Sequence, residues 1–231
     1  MTNVVALGGG PSLLWFLTRG TGTAALLALG FMVALGVANK GAFSRFGLTA
    51  FAVDELHRYT AAVALLLLGT HILTAILDPF AGIGLLAAVV PGTTAYRPLW
   101  VGLGAVAFDL LLVVYLSSKV RLRLPYRLWR GLHWLAWPLY PLALLHAFGT
   151  GSDSRFGWFI IAALFSVGLV GAAALQRLLT SALSPTARYT ALAALAAGGL
   201  VFGLWLIQGP LAPNWAKRAG TPQALLARSS R

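Results

Sequence analysis

The chain has no cysteine. Thiolate-held iron–sulfur clusters, covalently attached c-type haem, disulfides and a cysteine nucleophile are therefore excluded. Acidic residues are almost as scarce, with Asp54, Glu55, Asp78, Asp109 and Asp153 the full set. So small a set argues against a carboxylate-based proton pump or hydrolase. Charged residues make up only 10% of the chain, against about 25% in a soluble domain. The N-terminal MTNVVALGGGPS has no basic stretch, so neither a cleaved signal peptide nor a twin-arginine signal is expected. No glycine-rich dinucleotide fingerprint stands in a strand–helix setting. Gly8-Gly9-Gly10 is followed by proline and precedes an apolar run, so it reads as a flexible lead-in.

What is abundant is apolar. Hydrophobic residues are 59% of the 231, and six apolar segments can be drawn: 13–38, 59–77, 98–118, 132–148, 156–176 and 189–208. A span needs about 20 residues to cross a hydrocarbon core of about 30 Å. The expected fold is all-α, a polytopic bundle of six transmembrane helices over 13–208. An N-terminal segment (1–12) and a polar tail (209–231) flank it. The stretch GIGLLAAVV (82–90) is too short to span and reads as interfacial or re-entrant, closed by Pro91-Gly92.

The net charge of +12 would suggest nucleic acid in a soluble chain. Here the basic residues sit in short loops, and no basic-aromatic patch lies outside them, so nucleic acid is not an expected partner. Ten follow the first, third and fifth segments: Lys40, Arg45, Arg58, Lys119, Arg121, Arg123, Arg127, Arg130, Arg177 and Arg188. The other side carries Arg19, Arg97 and Arg155, plus Lys217, Arg218, Arg228 and Arg231 in the tail. The loop bias places the first group in the cytoplasm. A multi-pass protein of the cell membrane with both termini extracytoplasmic is the expectation.

All four histidines fall in or beside the second and fourth segments. His57 and His71 are 14 positions apart, His133 and His146 are 13 apart. At 1.5 Å per residue these are separations of about 21 and 20 Å. Both segments run from cytoplasm to outside, so His57 matches His133 in depth and His71 matches His146. A lone intramembrane histidine can hydrogen-bond a neighbouring helix, and a proton relay or zinc site are further readings. Zinc, however, requires its ligands to converge within a few ångströms. Two facing pairs suit two haem b groups, each clamped by one imidazole per face in the bundle core. The neutral imidazole is the ligating form.

Helical phase raises one difficulty. Fourteen residues leave His57 and His71 on nearly one face, whereas thirteen miss a whole turn by about 140°. Pro138 and Pro141 in HWLAWPLYPLALLH deprive Trp134 and Trp137 carbonyls of their usual donors. A bend or unwinding there is expected to rephase His133 and His146.

H-x13-H on one helix, H-x12-H two helices later and a basic loop before the second pair resemble the ferric reductase-like transmembrane domain. That superfamily includes NADPH oxidases, ferric reductases and the haem-binding membrane subunit of the bacterial methionine sulfoxide reductase system. WFLTRGTG, ELHR, AYRPLW, RGLHWLAWP and GTGSDS are similar to its stand-alone bacterial members, and the resemblance covers roughly Trp15 to Gln176. It implies iron ligation by His57 with His133 at an inner haem and by His71 with His146 at an outer one. The implied function is transmembrane electron transfer, a membrane oxidoreductase or its haem-bearing subunit. The flavin and nicotinamide domain fused to the oxidases is not found in this chain. A separate donor (flavoprotein or quinol) and an extracytoplasmic acceptor are thus implied, with the lipid bilayer as surroundings.

Haem propionates want arginine partners. Arg58, Arg127 and Arg130 lie at the inner level, Arg19 and Arg97 at the outer. Positive-inside topology explains the inner group equally, and snorkelling explains Arg19. Asp109, mid-span, is costly to bury and would need protonation or a bonded neighbour. Two readings compete with the di-haem cytochrome. One is a quinol-oxidising cytochrome b subunit of a larger complex. The other is a transporter or scaffold with structural histidines.

Overall fold

A computed structural model describes residues 12–38, 43, 47–151 and 153–228. The expectations for Gly8, Gly9, Gly10, Lys40, Arg45 and Arg231 fall outside them. Among the described residues the chain is all-α without a strand, and five of its helices are long and apolar enough to cross a membrane. These are α1 (Leu13–Val37), α2 (Ala50–Leu77), α3 (Pro98–Lys119), α6 (Gly157–Leu179) and α7 (Pro185–Gln208). The fourth apolar segment becomes two shorter helices, α4 (Tyr126–His133) and α5 (Ala136–Thr150). Two short helices, α8 (Trp215–Arg218) and α9 (Gln223–Arg228), follow α7.

Local chemistry sets these ends. The hydroxyls of Ser12, Thr49 and Ser184 accept from the amides of Trp15, Ala52 and Ala187, each three residues into its helix. Pro98 and Pro185 occupy the first helical position, where a missing N–H costs nothing. Helix α2 begins nine residues before the apolar run that marks it in the sequence. Asp54, Glu55 and Arg58 ride on its first turns, so His57 is two turns inside a continuous helix.

The break between α4 and α5 falls at Trp134–Leu135, just ahead of the prolines. Pro138 has no N–H to give the Trp134 carbonyl, which instead accepts from the Trp137 amide at 3.0 Å. Leu135 likewise donates three residues back, to Leu132. The tightened turn rotates His146 relative to His133, as the thirteen-residue spacing requires. Pro141 is accommodated inside α5. The 82–90 stretch does not cross. It holds a 3-10 turn, Leu85–Ala88, with Ala87 buried.

Helix α1 packs along α2 and also against α5 and α6, while α3 packs against α5 and α4. The result is two antiparallel helix pairs, α1/α2 and α3/α4–α5, with their histidine-bearing members facing each other. Leu26, Leu29, Leu111, Leu139, Leu144 and Phe148 form the core where the pairs meet. Helix α7 packs mainly on α6, reaches α3 and α5 through Trp205 and Phe202, and only Leu206 of its residues is buried. A helix apolar all round with so little protein cover is suited to lipid contact.

At the centre, Gly30 of α1 lies against Ser166 of α6. The fully buried Ser166 hydroxyl donates to the Leu26 carbonyl at 3.2 Å and is 2.9 Å from the Tyr140 hydroxyl. A Cβ at position 30 would overlap that hydroxyl. Gly30→Ala is therefore expected to cost about 1–3 kcal/mol by overpacking. Ser166→Ala, which loses only hydrogen bonds, should cost about 0.6 kcal/mol. Thermal unfolding of the detergent-solubilised variants checks the order; equal losses would contradict it.

Candidate functional site

The fold brings all four histidines into the interior as two facing pairs. The ring centres of His57 and His133 are 6.5 Å apart, with planes at 57°. Those of His71 and His146 are 6.2 Å apart, with planes at 87°. Among the described residues, no three histidine or carboxylate side chains converge as a metal cluster. The arrangement is of pairs, each drawing one ring from α2 and one from the α4–α5 side.

Hydrogen bonds fix three of the rings. The Nδ1 of His57 is 3.0 Å from the Met32 carbonyl, that of His71 is 2.8 Å from the Thr18 carbonyl, and that of His146 is 2.9 Å from the Trp100 carbonyl. A carbonyl only accepts, so Nδ1 carries the proton and Nε2 the lone pair. His133 differs: its Nδ1 is 3.5 Å from the Ser118 hydroxyl, which also receives the Trp129 indole N–H.

A cavity of about 270 Å³ opens beside the His71–His146 pair, lined by Trp15, Arg19, Leu68, Phe108, Leu139 and Tyr96 among others. Close-packed interiors hold few voids above one water, about 30 Å³. This space is far larger and mostly apolar. His57 and His133 do not line it.

The donor set fits haem. Imidazole–metal bonds of about 2 Å on opposite faces of one metal put the ring centres about 6 Å apart, close to both observed spacings. The protein-family model described as the ferric reductase like transmembrane component matches residues 21–144, just over half of the chain. The chain belongs to that family. The match contains His57, His71 and His133 and stops two residues before His146. No curated protein and no solved structure gives a significant match. Ferric reductase-like membrane bundles generally bind haem and transfer electrons across membranes.

Of the five arginines singled out in the sequence, Arg127 is exposed on α4 and the other four have separate fates. Arg19 lines the cavity, stacks on Trp15 with its guanidinium carbon 3.7 Å from the ring centre, and is paired with Asp153. Arg58 pairs with Glu55 on the exposed face of α2. Arg130 lies beside the Trp134 ring on α4. Arg97 is 4% exposed and takes a left-handed backbone, φ 44°, at the start of α3. Its amide donates to the Gly220 carbonyl, and its side chain donates to the Gly149 carbonyl and the Thr221 hydroxyl. It ties the tail to the bundle.

Sequence reasoning missed this docking of the tail. Trp215 donates to the same Gly149 carbonyl and packs with Trp100 and Trp205. Trp100 supplies the carbonyl that holds His146, so the tail steadies one of the four rings at one remove. The Arg19–Asp153 pair was equally hidden, its members lying 134 residues apart.

Arg97 makes a separable prediction. Arg97→Ala keeps the left-handed backbone and loses both side-chain bonds. Arg97→Gly loses the same bonds but removes a Cβ penalty of about 1 kcal/mol. Both should be less stable than wild type in thermal unfolding, with Gly above Ala by about that margin. A Gly variant no better than Ala would refute the strain.

Proposed function

We propose that the chain is a di-haem b membrane cytochrome of the ferric reductase-like kind. The observation that carries this reading is the two histidine pairs, 6.5 and 6.2 Å apart, on two facing helix elements. His57 and His133 hold the inner haem, and His71 and His146 the outer. Bound haem supplies the one-electron chemistry. The chain supplies the ligands in the correct tautomer, an apolar bundle that keeps water from the core, and the spacing between levels. Six spans complete the bundle, with α4 and α5 together forming the fourth.

Electrons pass from a cytoplasmic flavoprotein or membrane quinol to an extracytoplasmic acceptor. The loop bias of Lys and Arg supports the orientation of the two levels across the membrane, with both termini outside. Of the four arginines, Arg19 is best placed for a propionate, because it lines the cavity beside His71 and His146. Arg97 stands at the same outer level but outside that cavity's lining, and Arg58 and Arg130 stand at the inner level, beside His57 and His133 in the chain.

The test is haem counting. Purified protein expressed with haem supply should carry two b-type haems per chain by pyridine haemochrome. His57→Ala and His71→Ala should each lose one, and the two losses should be different haems, distinguishable by midpoint potential. No haem in the wild type would refute the reading. One haem would refute its two-site form, and loss of the same haem in both variants would refute the pairing by depth.

A further inference from the structure

Each histidine ring lies on a small residue of a neighbouring helix. His71 sits on Gly22 and His57 on Gly36, both of α1; His146 sits on Gly104 of α3. His133 reaches Ser118 of α3 instead. Gly22 and Gly36 are 14 residues apart, matching His57 and His71 in reversed order, as antiparallel helices require. Gly104 and Ser118 are also 14 apart, and the break at Trp134–Leu135 absorbs the one-residue difference from His133 and His146.

The accepting carbonyls follow the same rule. Thr18, Met32 and Trp100 lie four residues before Gly22, Gly36 and Gly104. In a helix the carbonyl of residue i points toward residue i+4, so a side chain there screens it from the flank. With hydrogen at that position the carbonyl is open to an approaching ring. A Cβ built at Gly22 comes 2.7 Å from the His71 Nδ1, and one at Gly104 overlaps the His146 ring. At Gly36 the nearest His57 atom is 3.2 Å away, a milder conflict. Gly20 of α1, Gly69 of α2 and Gly168 of α6 meet nothing within 4 Å.

We infer that Gly22, Gly36 and Gly104 are positioning residues for the haem ligands. Each keeps a helix flank bare so that one imidazole can lie against it and donate Nδ1–H to the carbonyl four residues back. That bond fixes the ring and makes Nε2 a more basic ligand. Ser118 gives His133 a hydroxyl in place of a carbonyl, so one of the four rings is held differently. The inference rests on the di-haem reading and predicts which glycine serves which haem.

The experiment compares Gly22→Ala, Gly104→Ala, Gly36→Ala, Gly69→Ala and Gly30→Ala in the purified full chain. Haem content, low-spin ferric EPR signals and thermal stability are read together. Near-perpendicular imidazole planes give low-spin haem a larger g anisotropy, so the 87° pair should be distinguishable from the 57° pair. Gly22→Ala and Gly104→Ala should each remove or convert to high spin the more anisotropic signal, halving total low-spin intensity and sparing the other. Gly36→Ala should shift only the less anisotropic signal. Gly69→Ala should match wild type, and Gly30→Ala should lose stability with both signals in wild-type proportion. The inference is overturned if Gly22→Ala and Gly104→Ala keep both signals at full intensity. It is equally overturned if they lose both in parallel, as a general packing defect would. A wild type without haem would instead remove the underlying reading, and the inference with it.

Discussion

The bundle is organised by a distance: the gap of about 6 Å between imidazole centres on α2 and on the α4–α5 element. Neither element sets that gap alone. Helix α1 holds α2 through the Thr18 and Met32 carbonyls, and α3 holds His146 through the Trp100 carbonyl. The histidine-bearing helices are thus backed by buttress helices whose own backbone supplies the hydrogen bonds. In lipid, where no water competes, such a bond to an imidazole also satisfies a polar group that would be expensive to bury alone.

The two levels are built differently. At the His71–His146 level both rings are held by carbonyls, a cavity of about 270 Å³ adjoins them, and Arg19, paired with Asp153, closes one end. The docked tail then covers the neighbouring end of α3 through Arg97 and Trp215. At the His57–His133 level one ring answers to a serine hydroxyl and shares its surroundings with Trp129. Ligand basicity is one of the levers on haem potential. Under the di-haem proposal, the difference between a carbonyl and a hydroxyl partner therefore bears on how the two levels are poised.

Much of this was legible in the residues. Hydropathy gave the all-α membrane class, and the spacing of the four histidines gave two levels, because helical rise converts sequence distance into depth. Pro138 and Pro141 marked the break, since a missing N–H cannot be supplied by context. Other features were not legible, for physical reasons. The first turns of α2 were hidden by Asp54, Glu55 and Arg58, whose charges mask a helix that continues beyond the apolar run. Glycine is common in membrane helices, so Gly22, Gly36 and Gly104 carry no signal until antiparallel pairing sets each beside a histidine. Contacts such as Arg97–Thr221 join residues too far apart in sequence for any local pattern to show them.

The central claim is that the two levels together conduct electrons across the bilayer. The most direct measurement uses sealed vesicles containing the haem-loaded protein, ferricyanide trapped inside and dithionite added outside. The account predicts bleaching of trapped ferricyanide well above the rate in empty vesicles, abolished when either level is removed by His57→Ala or His71→Ala. Bleaching at the empty-vesicle rate by fully haem-loaded wild type, or undiminished bleaching in either variant, would contradict it.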